Sequence, residues 1–318
     1  MLRLAACLCL ATLVAVGSAG AAGRGGEPVA LVTAESENQL LAVDLPSGRI
    51  VRRVTLPADP QNVEVLGLDA VVAVSTRAGA VTVLEPRSLR VIRVLRGFGA
   101  PHIVAIHPTG EWAYVTDDAR GELAVIALPS GRLVRKLYVG LGAHHLAVSP
   151  GGDRLWIALG ERARTIVVVD TSAPSRPRVV GRFDPGFGAH DLAFDPDGTR
   201  VWVTSDQRND VAVFDASTRR LLFRVPVGPP PQHVAFNDRY AYLTSGYGSR
   251  ILMASSVTGR VLRTASVPYG SFNLSTAGGI VATSSLLRGT VTELTERLGP
   301  MRTVRVARSA RDVGITVW

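Results

Sequence analysis

The chain has 318 residues, 47% of them hydrophobic and 19% charged, which excludes a disordered or low-complexity protein. Its 32 glycines and 19 prolines exclude a molecule built mainly of long helices. The formal charge of +9 comes almost wholly from arginine, with Lys136 the one lysine, so a polyanionic partner has to be judged from where the arginines sit.

The N-terminus reads as a secretory signal peptide over residues 1–21. Arg3 supplies the positive start, residues 4–16 form an apolar stretch too short to span a bilayer, and Ala19-Gly20-Ala21 is a small-residue cleavage site. Residues 22–28 then form a short leader, and the expected location is secreted or extracytoplasmic. Both cysteines, Cys7 and Cys9, fall inside the signal peptide, so the mature protein is expected to contain no disulfide and no thiol chemistry. No later stretch is long and apolar enough for a transmembrane helix, so none is expected in the mature chain.

From Val29 onward the chain repeats. His107-Pro108-Thr109-Gly110 precedes Trp112-Ala113-Tyr114-Val115-Thr116, and Ser149-Pro150-Gly151-Gly152 precedes Leu155-Trp156-Ile157-Ala158. Asp195-Pro196-Asp197-Gly198 precedes Val201-Trp202-Val203-Thr204, a period of about forty residues. Weaker copies at 29–35, 70–76, 240–246 and 280–286 bring the count to seven. In each repeat three further strands follow, rich in Val, Ile, Thr and Tyr and separated by turn residues such as Pro46-Ser47-Gly48 and Pro129-Ser130-Gly131. Short apolar runs broken every few residues do not suit helices.

Four strands recurring seven times predict an all-β, seven-bladed β-propeller over residues 29–318, with four antiparallel strands per blade. The repeat is out of phase with the chain. The first strand after the leader lacks an inner neighbour, and residues 313–317 form an inner strand with no successor. The C-terminal strand is therefore expected to pair with the N-terminal blade and close the ring.

Tyr114-Val115-Thr116, Val203-Thr204 and Leu243-Thr244, each following the turn into its strand, resemble the repeats of the YVTN-type β-propeller family across the whole mature chain. Asp117 and Ser205 stand where that family has Asn. The resemblance implies a secreted or surface propeller and says little about activity, since one fold serves many functions.

Propellers place ligands at the channel mouth, where the innermost strands begin. The two residues before each such strand are Gln61-Asn62, His102-Ile103, His144-His145, His190-Asp191, Gln232-His233, Phe272-Asn273 and Arg311-Asp312. Five of the six histidines fall in this set, and the sevenfold ring brings them around one axis. His102, His144, His145, His190 and His233, with Asp191, Asn273, Arg311 and Asp312, are the candidate site. Such a rim suits a small polar or anionic ligand, and its imidazoles also suit a transition metal. No cofactor is expected otherwise; a metal would fall to His102, His144, His190 and His233. The alternative is structural: histidines that hydrogen-bond the neighbouring blade and were multiplied by duplication.

Arg77, Arg120, Arg162, Arg164, Arg208 and Arg288 lie in loops expected on the same face, where they would favour an anion. Most other arginines fall in the outermost strands, where charge blocks edge-to-edge pairing. They also allow non-specific contact with an envelope polyanion, but nothing in the pattern points to specific nucleic-acid binding. Nucleophile elbows, P-loops, dinucleotide fingerprints and His-Glu-x-x-His are all absent. The expected function is a monomeric binding or interaction protein that holds a small ligand or a protein partner at the mouth. A lactonase-like hydrolase or lyase using His190-Asp191 at the same mouth is the alternative, and an inert surface scaffold is the third reading.

Overall fold

The structure, a computed structural model, describes residues 26–205 and 207–318. It is a seven-bladed β-propeller of seven four-stranded antiparallel sheets. The expected signal peptide lies outside the described residues. Blades two to seven each run inner strand to outer strand in chain order, beginning with Pro60–Leu66, Pro101–Ile106, Leu146–Val148, Leu192–Phe194, Val234–Phe236 and Ser271–Ala277. The first blade is composite: its inner strand is the C-terminal Ala310–Val317, hydrogen-bonded to Pro28–Ala34. This is the expected closure. The pairing begins one residue earlier than expected, at Pro28. Beyond it, Glu27 and Trp318 exchange both backbone hydrogen bonds at 3.0 Å.

Each middle strand is largely buried on both faces, which explains its mostly apolar character. Within Ala70–Ser75 the period-two alternation assigns faces to neighbours. Val72 and Val74 pack into a cluster with Val104, Ala113 and Val115 of the third blade. Val71 and Ala73 pack the other way, with Leu31, Leu40 and Ala42 of the first. The same division recurs around the ring, so the core lies between the blades. The sequence Trp156 and Trp202, singled out by the repeat, fills two such interfaces with fully buried indoles.

Outermost strands have exposed faces and carry the arginines, including Arg52, Arg53, Arg93, Arg135 and Arg263, as the edge reading predicts.

The inner strands differ from expectation in four blades. They begin at Pro60, Pro101, Ser271 and Ala310, so Asn62, His102, Asn273, Arg311 and Asp312 lie inside strands and not before them. A break in pairing register in each, as between Pro101 and Val104, accounts for this: the bulge continues the strand while turning these side chains toward the mouth. In the fourth to sixth blades the inner strands are three residues long, and His144-His145, His190-Asp191 and Gln232-His233 precede them as expected.

Candidate metal centre at the channel mouth

Threonine placement fixes the mouth. The motif threonines that carried the repeat are buried and donate to carbonyls one blade further on. Thr116 Oγ1 donates to the His144 carbonyl at 2.6 Å and Thr204 Oγ1 to that of Gln232 at 2.8 Å. Thr244 does the same to Phe272, and Thr76 Oγ1 to Pro101 at 2.8 Å. The Val-Thr pattern is thus a clamp on the residues that enter the next blade.

The second residue of each candidate pair forms a belt around the channel. Asn62 Oδ1 accepts from the Val104 amide at 2.9 Å, Asp191 Oδ2 from that of Val234 at 3.1 Å, and Asp312 Oδ2 from that of Val63 at 2.9 Å. Asn273 Nδ2 donates to the Arg311 carbonyl at 2.8 Å. Asn62, Asn273 and Asp312 therefore join blades. That is the structural alternative raised for the histidines, realised in their neighbours.

The histidines themselves converge. His145, 3% exposed, is the hub: its ring centroid lies 5.2 Å from that of His102, 4.9 Å from His144, 4.7 Å from His190 and 5.0 Å from His233. His102 stacks on His144 at 3.8 Å with 13° between the planes. Two sets of three place one ligand nitrogen each within 4.8 Å of one another: His102, His144 and His145, and His145, His190 and His233. His107, the sixth histidine, lies elsewhere, with Nε2 3.2 Å from the Gly152 carbonyl oxygen in the turn between inner and second strands.

Carboxylates orient these rings. His145 Nδ1 lies 3.0 Å from Asp191 Oδ1, and His233 Nδ1 lies 3.3 Å from Asp191 Oδ2. His144 Nδ1 lies 2.8 Å from Asp118 Oδ2. A neutral imidazole that donates Nδ1–H to a carboxylate presents the Nε2 lone pair elsewhere, the arrangement used by metal-ligating histidines. Burial, outweighing the Asp191 hydrogen bond, drives His145 well below the usual histidine range, and burial with His144 nearby does the same for His102. Burial works against ionised Asp191, but the electrostatic pull of His233 and the hydrogen bonds from His145 and His233 overcome it and hold that carboxyl far below the ordinary range.

Below the cluster the axis is a channel of about 640 Å³ whose lining includes His145, Asp191, His233, Asn62, Glu64, Asn273 and Asp312. Burial, reinforced by the nearby Asp312, pushes the Glu64 carboxyl up to about 8. Arg311 is on the other arc, its guanidinium 3.8 Å from Glu35 Oε2. Three of the loop arginines find partners of their own: Arg120 the Gly97 carbonyl, Arg164 Asp184 at 3.4 Å, and Arg208 Asp210 at 2.8 Å.

Sequence reasoning missed Asp118 and Glu64. Glu64 had a signal, as a lone charge between Val63 and Val65 in an inner strand, where alternation turns it into the channel. Asp118 had a weaker one: it shares with Arg120 a loop expected on the mouth face, but its pairing with His144 of the next blade is set only in the folded ring.

No protein-family model matches the sequence, and no curated protein matches it. Solved structures do. A functionally unknown protein from Desulfotomaculum acetoxidans superposes with a TM-score of 0.80 at 14% identity, over 91% of this chain and 99% of that one. Hydrazine synthase from Kuenenia stuttgartiensis gives 0.75 at 16%, over 84% and 92%. Apo AztD from Citrobacter koseri gives 0.71 at 9%, over 91% and 98%. At these identities the likeness establishes the fold, and the chain is a seven-bladed β-propeller.

Proposed function

We propose that this protein is an exported β-propeller that binds a divalent transition-metal ion of the Zn2+ or Cu2+ class at the histidine cluster of its channel mouth. The observation that carries the reading is the set of four imidazoles gathered on that of His145, with the Nδ1 atoms of His144, His145 and His233 engaged by Asp118 and Asp191. Neutral imidazole suits borderline metals, whereas a hard cation would call for several oxygen ligands. Ionised Asp191 supplies charge to offset a dication. An anion is disfavoured because Arg120, Arg164, Arg208 and Arg311 are engaged elsewhere and a carboxylate sits among the histidines.

Export is supported by the signal-peptide pattern of residues 1–21 and by the resemblance to YVTN-type surface propellers. N-terminal sequencing of protein recovered outside the cytoplasm should start at residue 22; an intact Met1 there would remove the export reading.

Metal binding is tested by calorimetric titration of the purified, tag-free protein with Zn2+, and by Co2+ absorption, which reports nitrogen coordination. Saturable binding is expected, lost in the His144→Ala/His190→Ala/His233→Ala triple variant. A folded wild-type chain that takes up neither ion would overturn the proposal.

A further inference from the structure

The two histidine triads have one member in common. His145 belongs both to the set with His102 and His144 and to the set with His190 and His233. Its Nδ1 is engaged by Asp191 Oδ1 at 3.0 Å, so it has one nitrogen, Nε2, left to give. A metal–imidazole–metal bridge needs both nitrogens of the ring. The pair of triads therefore does not amount to a dinuclear centre while the Asp191 contact stands.

Each triad has its own support. On one side, Asp118 orients His144, whose ring stacks on His102 at 3.8 Å, and the Asp118 side chain is 39% exposed. On the other, Asp191 orients both His145 and His233, and these three residues line the channel. The first triad thus has a solvent-facing carboxylate, and the second reaches the channel through His145 and His233. His144 and His190, one from each triad, have ring centroids 6.0 Å apart across the hub, so the flanking pairs are close neighbours.

Resting on the metal-binding reading above, we infer that the triads are two alternative seats for a single ion, which passes between a mouth seat and a channel seat while His145 stays bound to it. In the mouth seat the ion has His102, His144 and His145; in the channel seat it has His145, His190 and His233. Movement exchanges one flanking pair for the other. The retained His145 bond keeps the ion from becoming fully hydrated in transit, which matters because stripping a dication of water is costly. No bond other than metal–nitrogen bonds forms or breaks, and no proton or electron is transferred.

Two measurements test this on the full mature chain with Zn2+ alone. By native mass spectrometry at saturation, the wild type should hold one ion. The double variants His102→Ala/His144→Ala and His190→Ala/His233→Ala should each still hold one, because each retains one flanking pair and the hub. His145→Ala should hold none with comparable affinity. Since that variant removes a buried side chain, the second measurement avoids it: NMR of wild-type protein labelled with 15N at histidine. One equivalent of Zn2+ should shift ring nitrogens of both flanking pairs in fast or intermediate exchange, with His107 on the opposite turn as the unshifted control. Two ions at saturation, or shifts confined to one flanking pair, would overturn the shared-seat inference while leaving metal binding intact. No ion in the wild type would instead sink the metal reading itself.

Discussion

At the scale of single residues, the decisive group is Asp191, which faces two histidines of the candidate centre and the Val234 amide. Asp191→Asn keeps the shape but removes the charge and offers an amide where two rings need an acceptor. Zn2+ affinity should fall by about 10–100-fold with the ligands themselves intact, as chelator competition would report. An unchanged affinity would show that the ring orientation is set by packing alone. Glu64 makes a prediction of a different kind. Its carboxyl is pushed up to about 8 from an ordinary value of 4.5. The unfolded chain releases this proton near its ordinary value and the folded chain only near 8, so between those limits rising pH favours the unfolded state. Glu64→Gln should therefore be more heat-stable than wild type by a margin that grows from about pH 5 to pH 8 and then levels off. Melting curves across pH test this, and a margin independent of pH would contradict it.

At the scale of elements, the hairpins between the second and third strands, counted from the axis, of blades one, two, three, six and seven share a residue in left-handed backbone geometry. Gly79, Gly121 and Gly289 have φ of 56°, 64° and 64°, and Asn38 and Ser249 have 54° and 51° at the matching positions. The carbonyl of this residue accepts from the amide just past the outer strand, as Gly121 does from Val139 at 2.8 Å and Ser249 from Val267 at 3.0 Å. One turn geometry thus pins both ends of a three-strand unit. A Cβ on Gly121 would come within 2.5 Å of the Gly140 carbonyl carbon. Gly121→Ala should destabilise by about 2 kcal/mol or more, adding that clash to the left-handed penalty. Ser249→Gly, where a side chain already bears the penalty, should be neutral or stabilising by up to about 1 kcal/mol. Denaturant titration of the pair checks the sign difference. The repeat period and turn residues were legible here, because each strand's alternation and each Gly follow from local geometry. The bulges that carry His102 and Asp312 into the inner strands were not, since nothing local distinguishes a bulge from a strand start.

At the scale of the molecule, the ring closes through Ala310–Val317, which pairs with Pro28–Ala34 and packs Val313 and Ile315 against Ala282 and Val291 of the seventh blade. Because the core lies between blades, an open ring would expose two blade faces and the inner edge of the first strand together. Deleting residues 310–318 should abolish the single cooperative melting transition and promote aggregation, as circular dichroism and size-exclusion chromatography would show. A truncated chain that stays monomeric and melts as the wild type does would refute a closing role.

The sequence by itself determined the number of blades, the four-strand repeat, the phase offset that requires a C-terminal closing strand, and the gathering of five histidines at one end of the inner strands. These are consequences of period and turn chemistry, which repeat locally and are readable one segment at a time. Tertiary structure alone decided what the mouth residues do with one another. It separated Asn62, Asn273 and Asp312, which stitch neighbouring blades, from the five histidines, which face each other, although His145 and His233 occupy the same place in the repeat as those three. It also supplied Asp118 to His144 and Asp191 to both His145 and His233. The physical reason is the stagger between blades: a side chain's partner is set by the neighbouring sheet's height and twist, and these distances across the axis are not encoded in the spacing of any one repeat.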